Sequence, residues 1–314
     1  MHAIGIDLGG TKLAAGLFGD DGTLVRREVA PLVGREGEAV GGLIADHVRL
    51  LLDEAAKPDR SAGAIGVSIP GIFRSGSGTV WAPNIPGWDD YPLQAELEAL
   101  VSRDVRVRID SDRACSILGE AWQGVARGCQ HAVFLAVGTG IGAGVLVDGR
   151  VLRGSRDIAG AIGWLALDRP YRPEYETFGC FEYHASGLGL ARVARDLLAR
   201  DVTQPSVLRE KQPQDLAGKD IFSAYDVDDA IAIETVEVAI AFWGMAVANL
   251  VSLFDPEMIV FGGGVFGPAS RFLDRIRAEA TRWAQPISMP QVELAVSELG
   301  GDAALYGAAR LAME

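Results

Sequence analysis

Two stretches of the sequence share one order of features. Residues 4–22 read IGIDLGGTKLAAGLFGDDG, and residues 134–149 read FLAVGTGIGAGVLVDG. Each stretch begins as an apolar strand, turns at glycine, continues as a second apolar strand and turns again at Asp-Gly. A hairpin of this form at the start of both halves of a chain indicates a duplicated α/β domain. The alternative is that the two stretches resemble each other only because many hairpins have this form.

The rest of the chain alternates between strand-like and helical patterns, as expected of an α/β protein. Apolar spacing predicts helices over residues 38–56, 93–101, 114–125, 188–200, 270–284 and 303–312. Short apolar runs predict strands over residues 64–69, 105–109, 258–261 and 292–296. Residues 201–219 are polar and contain proline, which is typical of a loop, and residues 226–254 read as long helical material.

Composition narrows the classes of function. The 314 residues are 49% hydrophobic and 23% charged, which indicates a folded globular chain. A formal net charge of -13 disfavours nucleic acid and anionic membranes as partners, because both require basic surfaces. The three scattered cysteines do not suggest a disulfide framework. We expect a cytoplasmic protein without a signal peptide, whose apolar stretch at 236–254 is a buried helix rather than a membrane span.

The first motif with chemical potential is Asp7-Leu-Gly-Gly-Thr-Lys12. Backbone N–H groups in a glycine-rich turn after a strand form a site for anions, to which Thr11 adds a hydroxyl and Lys12 a positive charge. Asp7, at the end of the strand, could hold a magnesium ion through water. The spacing is not that of a P-loop. The alternative is a tight hairpin with a surface lysine.

Two further glycine motifs resemble dinucleotide fingerprints. In Gly138-Thr-Gly-Ile-Gly142, a strand follows where a fingerprint requires a helix, so a second phosphate-binding hairpin fits better. Gly262-Gly-Gly-Val-Phe-Gly267 lies between a predicted strand and helix, which favours a nicotinamide site. It lies too near the end of the chain for a full dinucleotide fold, and a glycine floor under an adenosine is the simpler interpretation.

The fourth motif is Asp110-Ser-Asp112, between a predicted strand and a predicted helix. A carboxylate at this position can accept a proton from a substrate hydroxyl during phosphoryl transfer. An aspartate before a helix can equally be an N-cap. Two aspartates at positions i and i+2 leave room for one of each.

Together these motifs resemble the ROK family of bacterial sugar kinases and related repressors, and the resemblance covers nearly the whole chain. The matching segments are residues 7–12, 82–88, 112–120, 138–142, 153–154, 179–182, 186–187, 255–256, 262–264, 298–303 and 307–308. The resemblance implies an actin-like, ribonuclease H-like duplicated α/β fold with two lobes and an interlobe cleft. It places the N-terminal lobe at 1–110, with a C-terminal helix at 302–314 packed on it, and the C-terminal lobe at 111–301.

The resemblance also implies ATP and Mg²⁺ as cofactors, a sugar as the small-molecule partner, and a homodimer. Phosphate contacts are implied for Gly9, Gly10, Thr11, Lys12, Gly138, Thr139, Gly140, Gly262, Gly263 and Gly264, with Asp7 near the metal. Asp112 matches the general base of the family. Asn84 and Glu182 match sugar contacts, and Gly71 lies in the loop over the sugar. Because the first strand starts at residue 3, we expect no helix-turn-helix domain of the repressor type.

Two departures concern the sugar site and a structural zinc. The family motif Glu-x-Gly-His reads Ala161-Ile-Gly-Trp164 here, so a carboxylate and an imidazole are missing and Trp164 is left to stack on a sugar face. The zinc motif keeps only Cys180, since its other positions fall on Pro173, Tyr175 and Trp164. A structural zinc needs four N or S ligands, so we expect none. We expect packing of Tyr171, Tyr175 and Phe178 to hold the loop instead.

The sequence therefore predicts an ATP- and Mg²⁺-dependent kinase that phosphorylates a hexose or an amino sugar, with Asp112 as the base. One alternative is a catalytically weak sugar sensor of the same fold, suggested by Ala161 and Trp164. A second alternative is a nicotinamide-dependent oxidoreductase, suggested by the motif at residues 262–267.

Overall fold

The computed structural model describes residues 2–56 and 62–314. The strands of the first part of the chain are β1 (His2–Leu8), β2 (Lys12–Gly19), β3 (Leu24–Pro31), β4 (Ala62–Ile69), β5 (Ile72–Arg74), β6 (Thr79–Trp81) and β7 (Arg106–Ser111). In the described residues they form a sheet in the order β3-β2-β1-β4-β7 and a separate β5–β6 hairpin. The pairs β1–β2 and β2–β3 are antiparallel, whereas β4 runs parallel to both β1 and β7.

A second sheet repeats this arrangement. Its strands are β8 (Ala132–Val137), β9 (Ile141–Val147), β10 (Arg150–Val151), β11 (Met258–Gly262) and β12 (Glu293–Val296). Their order is β10-β9-β8-β11-β12, with β11 parallel to both β8 and β12. Strand by strand this is the order of the first sheet. The duplicated α/β domain that the two hairpin motifs predict is therefore confirmed, and with it the actin-like fold that the resemblance implies.

Helices connect and cover the sheets. They are α1 (Glu38–Ala55), α2 (Leu93–Leu100), α3 (Asp112–Gln123), α4 (Tyr175–Phe178), α5 (Cys180–Ala185), α6 (Gly187–Arg200), α7 (Gly218–Tyr225), α8 (Ala230–Phe254), α9 (Leu273–Trp283) and α10 (Ala303–Met313). Most agree with the predicted helices to within two or three residues. The prediction of a loop over 201–219 is wrong at its end, because α7 begins at Gly218. The sequence patterns also missed α4, α5 and the β5–β6 hairpin.

The chain folds into two compact units. The first contains residues 1–130, 144–160 and 297–314, and the second contains residues 131–143 and 161–296. This division assigns residues 111–130 to the first unit, whereas the resemblance places them in the C-terminal lobe. The lobe boundaries at 110 and 301 stay a prediction.

In the first unit, close backbone approach determines how α10 packs. A Cβ at Gly5 of β1 would lie 2.7 Å from the carbonyl oxygen of Leu305, and one at Gly66 of β4 would overlap the carbonyl of Ala308. On the other side of α10, a Cβ at Gly307 would overlap the carbonyl oxygen of Cys115 in α3. Glycine at these positions lets α10 pack in direct backbone contact with the sheet and with α3.

In the second unit, α8 is the central helix. It is long and apolar enough to cross a membrane by length and composition, but 61% of its most apolar window is buried within the protein. Its start is capped by Asp229, whose carboxylate accepts hydrogen bonds from the N–H groups of Ile231 and Ala232. The indole of Trp243 donates to the carbonyl of Ala185, 3.0 Å away. These contacts are those of a core helix, as the sequence predicts.

The contact between α3 and α10 makes a stability prediction. Replacing Gly307 with alanine forces Cβ against the α3 backbone, so the free energy of unfolding should fall by about 1–3 kcal/mol. Gly42 of α1 is the matched control, because a Cβ there meets no atom within 4 Å. Gly42→Ala should raise the free energy of unfolding by roughly 0.5–1 kcal/mol through better helix propensity. Urea denaturation followed by circular dichroism measures both, and equal shifts in the two variants would contradict the packing argument.

Candidate functional site

The turn between β1 and β2 carries the first predicted motif. The N–H of Gly9 donates to the carbonyl of Lys12 at 2.9 Å, which closes a tight turn. A Cβ at Gly10 would meet no atom within 4 Å, so one side of the turn is open. The carbonyl of Thr11 accepts a hydrogen bond from the N–H of Leu32 at 2.8 Å. The turn is thereby fixed while Gly10 and Thr11 remain accessible.

A cavity of about 370 Å³ lies beside this turn in the first unit. Its lining residues are Gly10, Thr11, Leu32, Val33, Gly34, Arg35, Asn84 and Ile85. The structure thus brings together a predicted phosphate contact, Thr11, and a predicted sugar contact, Asn84. The guanidinium of Arg35 donates to the carbonyls of Pro31 and Leu32, at 3.1 and 3.3 Å. Sequence reasoning missed this cation, because nothing local distinguishes it from other surface arginines.

Asp7 lies at the end of β1 in a negatively charged environment. Its Oδ1 atom accepts a hydrogen bond from the hydroxyl of Ser68 at 2.8 Å. Burial, with added repulsion from the carboxylates of Asp112 and Asp302, raises the pKa of Asp7 to about 6. A nearby divalent cation would offset this excess of negative charge. The donor chemistry therefore fits Mg²⁺, which proteins usually hold through one or two carboxylates and the phosphates of a substrate.

The three residues of the motif at 110–112 have different roles in the structure. Asp110 is buried, and its carboxylate accepts from the N–H of Ser111 at 2.8 Å and from Nε of Arg153 at 2.7 Å. Ser111 is the N-cap of α3, where its hydroxyl accepts from the N–H of Ala114 at 3.3 Å. The alternative of an aspartate cap is therefore wrong, because the serine between the two aspartates caps the helix. Asp112, the first residue of α3, is left for another role.

Asp112 has the environment of a usable base. Its side chain is 49% exposed, and Oδ1 accepts from the N–H of Arg113 at 2.8 Å. Although part of the side chain is exposed, desolvation by the protein atoms that surround the carboxyl group is the largest influence and raises the pKa of Asp112 above its usual value, while the charge of Arg113 and the backbone N–H bond oppose the change. A carboxylate with a raised pKa is a better proton acceptor than an ordinary aspartate.

A cavity of about 540 Å³ in the second unit is lined by residues of the other two glycine motifs. It is lined by Gly138, Thr139, Gly187, Leu188, Ala217, Gly218, Lys219, Phe222, Gly264, Val265 and Pro268. Gly138 and Thr139 belong to the β8–β9 turn, and Gly264 belongs to the predicted glycine floor. Leu188, Phe222 and Val265 supply apolar surface.

Two helices begin at this cavity. The N–H of Gly187, at the start of α6, donates to the carbonyl of Gly138 at 2.8 Å. A Cβ at Gly218, at the start of α7, would lie 3.2 Å from the carbonyl oxygen of Gly187. Helix N-termini attract anions, and Lys219 adds a positive charge to the second one. The contribution of α7 was missed by the sequence, since this helix begins inside the predicted loop.

The triple glycine at 262–264 serves two purposes. A Cβ at Gly262 would overlap the ring of Phe134, and Gly263, with a φ of 87°, packs against the carbonyl of Val137. Gly264 alone of the three lines the cavity. It is followed by 3₁₀ turns at Gly264–Phe266 and Pro268–Phe272 before α9 starts. The predicted helix start at residue 270 is therefore three residues early, and the helix that a dinucleotide fingerprint requires does not follow the motif directly.

Glu182 of α5 reaches back to the β8–β9 turn. Its Oε2 atom accepts a hydrogen bond from the N–H of Ile141 at 2.7 Å. A Cβ at Gly140 would lie 2.7 Å from the same oxygen, and one at Gly163 would lie 3.1 Å from it. Burial raises the pKa of Glu182, although the Ile141 N–H bond and the charge of Arg192 lower it. Trp164, next to Gly163, has 57% of its surface exposed and is therefore free to meet a ligand.

Aromatic contacts hold the segment before α5, as predicted for Tyr171 and Tyr175, whereas Phe178 packs against Tyr183 of α5 with ring centroids 6.5 Å apart. The rings of Tyr171 and Tyr175 pack edge to face, with centroids 6.0 Å apart. The hydroxyl of Tyr175 donates to Asp168 at 3.0 Å and lies 2.7 Å from Nε2 of His184. Burial lowers the pKa of His184 to about 4. In residues 2–56 and 62–314, the structure contains no cluster of three or more His, Cys, Asp or Glu side chains arranged to hold a metal ion.

Gly71 lies between β4 and β5, in the first unit. A Cβ there would overlap the carbonyl oxygen of Trp81 in β6, so the two backbone segments are in direct contact. Gly71 is not among the residues that line the cavity with Asn84. Its role toward a sugar therefore stays a prediction.

Comparisons with known proteins find relatives that match this chain over nearly its whole length. Over 311 residues, the chain is 30% identical to a glucokinase from Halalkalibacterium halodurans, and the match covers 97% of this chain and 92% of that protein. The structure of a ROK hexokinase from Thermus thermophilus is 32% identical and superimposes with a TM-score of 0.81, covering 100% of this chain and 98% of the other.

A third comparison concerns a structure with bound ligands. It is a ROK family glucokinase from Streptomyces griseus in complex with glucose and AMPPNP, 28% identical, with a TM-score of 0.76 and coverage of 100% of this chain and 99% of the other. The sequence model of the ROK family matches residues 3–314. Since the match extends over nearly the whole chain, this protein belongs to the ROK family.

Proposed function

We propose that this protein is an ATP-dependent sugar kinase that transfers the γ-phosphoryl group of ATP to a hydroxyl of a hexose or an amino sugar. Asp112 is the general base in this proposal. Full-length similarity to a glucokinase and to a ROK hexokinase supports the enzyme class. Similarity to a glucokinase with bound glucose and AMPPNP supports both the donor and a hexose as the acceptor.

The observation that carries the proposal is the cavity lined by Gly138, Gly187, Gly218 and Gly264. Its apolar residues suit an adenine ring, and its open glycine backbone suits phosphate groups that must approach closely. The starts of α6 and α7 supply partial positive charge without bulky side chains. A nucleoside triphosphate matches this combination of apolar surface and anion-binding backbone.

In the first unit, we assign phosphate contacts to the turn at residues 9–12 and the metal to Asp7. Mg²⁺, when bound, neutralises charge on the β- and γ-phosphates. Asp7 would hold it through its carboxylate or through water. Lys12 is exposed on the same turn, where its ammonium can add to the charge that stabilises a transferred phosphoryl group.

Asp112 removes a proton from the attacking hydroxyl in this proposal. The O–H bond of the sugar hydroxyl breaks, its proton passes to the carboxylate, and the oxygen forms a bond to the γ-phosphorus as the bond to ADP breaks. Ser111 and the Asp110–Arg153 ion pair fix the start of α3, so the position of the carboxylate is determined by the backbone. Positioning of this kind supplies much of the rate enhancement in phosphoryl transfer.

The sugar contacts in the proposal are Asn84, Gly71, Glu182 and Trp164. Asn84 and Glu182 offer groups that can bond to hydroxyls, and the exposed ring of Trp164 offers a flat apolar surface. A homodimer and a cytoplasmic location are also proposals. They rest on the family resemblance and on the composition of the chain.

A second candidate function is a sugar sensor with little or no turnover. It is favoured by Ala161 and Trp164, because sites that hydrogen-bond a hydroxyl owe much of their discrimination to the polar groups that these two residues replace. Both functions are tested by measuring ADP release with ATP, Mg²⁺ and a panel of hexoses, N-acetylhexosamines and amino sugars. Sugar-dependent ADP release supports the kinase. Nucleotide and sugar binding without release supports the sensor.

The base assignment predicts a large rate effect. Asp112→Asn should lower kcat by at least about 100-fold, because the amide cannot accept the proton. Asp274→Asn is the matched control, since Asp274 also lies in the first turn of a helix, α9. It removes the same charge and should leave kcat within a factor of about two. Similar losses in both variants would contradict a specific role for Asp112.

The environment of Asp112 predicts the pH dependence of the reaction. The base works only when ionised, so activity should fall as pH decreases through the pKa of Asp112. Because burial raises that pKa, the acid limb of kcat/KM should lie above the 3.8 of an ordinary aspartate. A pH–rate profile measures its midpoint. A midpoint at or below 3.8 would contradict the assignment.

If the nucleotide binds in this cavity, a change to its apolar lining should weaken nucleotide binding. Leu188 lies at this cavity and is 50% exposed, so Leu188→Glu should weaken AMPPNP binding about tenfold by removing apolar surface and adding negative charge. Leu253 of α8 is the control, because it is 66% exposed but does not line the cavity. Isothermal titration calorimetry should show unchanged affinity in Leu253→Glu. Unchanged affinity in both variants would place the nucleotide elsewhere.

A further inference from the structure

We infer that Glu182 positions the nucleotide-binding turn through one carboxylate oxygen while the other is available to a sugar hydroxyl, so that this residue couples the two substrates. The inference deepens the proposed function and rests on it. It assigns Glu182 a positioning role toward ATP in addition to the sugar contact expected from the family resemblance.

Hydrogen bonds hold the β8–β9 turn, residues 138–141, at both ends. The N–H of Gly138 donates to the carbonyl of Gly140 at 2.9 Å, and the N–H of Gly187 donates to the carbonyl of Gly138 at 2.8 Å. At the other end, the N–H of Ile141 donates to Oε2 of Glu182 at 2.7 Å. The segment at residues 182–187 therefore fixes both ends of the turn.

Two backbone donors of this turn remain available to a ligand. Within residues 2–56 and 62–314, the N–H groups of Thr139 and Gly140 have no hydrogen-bond acceptor. Thr139 also lines the cavity assigned to the nucleotide. These are the donors that a phosphate oxygen can use, and their direction depends on the shape of the turn. A change at Ile141 would therefore be transmitted to the phosphate contacts.

Two glycines, Gly140 and Gly163, leave the space that the carboxylate of Glu182 occupies. A Cβ at Gly140 would lie 2.7 Å from Oε2, and a Cβ at Gly163 would lie 3.1 Å from the same atom. Any larger residue at position 140 would push the carboxylate away from Ile141.

The backbone of Glu182 is anchored in the core of the second unit. Its neighbours Phe181 and Tyr183 are buried, at the centre of α5. The carbonyl of Ala185, at the end of α5, accepts the indole N–H of Trp243 in the core helix α8. The carboxylate is thus presented from a rigid support. Hydrogen bonding of a sugar hydroxyl to Oε1 would fix the remaining rotation of this side chain.

Measuring AMPPNP binding without sugar separates the roles of the two carboxylate oxygens. Glu182→Ala removes both, so AMPPNP should bind about tenfold more weakly than to the wild type. Glu182→Gln keeps one acceptor oxygen for Ile141, so AMPPNP affinity should stay within about twofold, whereas glucose affinity should fall at least about tenfold. A residue that only contacts sugar would leave AMPPNP binding unchanged in both variants, and that result would overturn the inference.

Glu257→Ala is the matched control. The carboxylate of Glu257 accepts from the backbone N–H of His131, 3.0 Å away, beside the start of β8 and away from the turn. Its removal deletes the same kind of bond in the same unit, and AMPPNP affinity should be unchanged. Equal weakening in Glu257→Ala and Glu182→Ala would show a general loss of stability and overturn the positioning role.

Gly140→Ala provides a second variant in case Glu182→Ala does not fold. It retains Glu182 but displaces its carboxylate, so AMPPNP affinity should again fall about tenfold. Wild-type affinity in Gly140→Ala would overturn the inference.

AMPPNP binding by the wild-type protein distinguishes a failure of this inference from a failure of the proposed function. If the wild type binds no AMPPNP, the proposed function itself is wrong. If it binds AMPPNP and the variants match it, only the role of Glu182 is wrong.

Discussion

The candidate nucleotide site is built around the hydrogen bond between Gly187 and Gly138. This bond joins the start of α6 to the β8–β9 turn, and a Cβ at Gly187 would lie 2.9 Å from the carbonyl oxygen of Gly138, so the close approach favours glycine at position 187. With this contact in place, α7 packs its own first glycine against Gly187, and the cavity opens beside all three backbones. Glycine at these positions keeps side chains out of the cavity and leaves space for a large anionic ligand.

The glycine turns of the two hairpins are held in place by different contacts in the two units. In the first, the turn at residues 9–12 is closed by its own backbone bond and tied to Leu32. In the second, the equivalent turn is tied to Gly187 and to the carboxylate of Glu182. The two halves of the chain therefore share the hairpin, but the hydrogen bonds that fix its turn differ. In the first unit, burial is the main cause that raises the pKa of Asp7, and the charges of Asp112 and Asp302 add to it, so further negative charge at this position is unfavourable without a cation.

The sequence predicted those elements whose structure depends on local features, such as glycine turns and the spacing of apolar residues. Glycine turns after apolar runs predicted both hairpins, and apolar spacing predicted α1, α6 and α10. The start of α7 was not predictable, because its N-cap position is Ala217, which gives no capping signal, and Asp220 closes the first turn by accepting the Ala217 N–H at 3.0 Å. The cation Arg35 and the bond from Glu182 to Ile141 depend on tertiary contacts. The family resemblance identified Glu182, but only the structure shows what its Oε2 atom contacts.

The glycine-lined cavity of the second unit is the assigned nucleotide site, and a crystal structure with AMPPNP and glucose would decide this assignment. We expect the adenine ring against Leu188 and Phe222, with phosphate oxygens near the N–H groups of Thr139 and Gly140. A nucleotide bound away from Gly138, Gly187 and Gly264 would contradict the assignment.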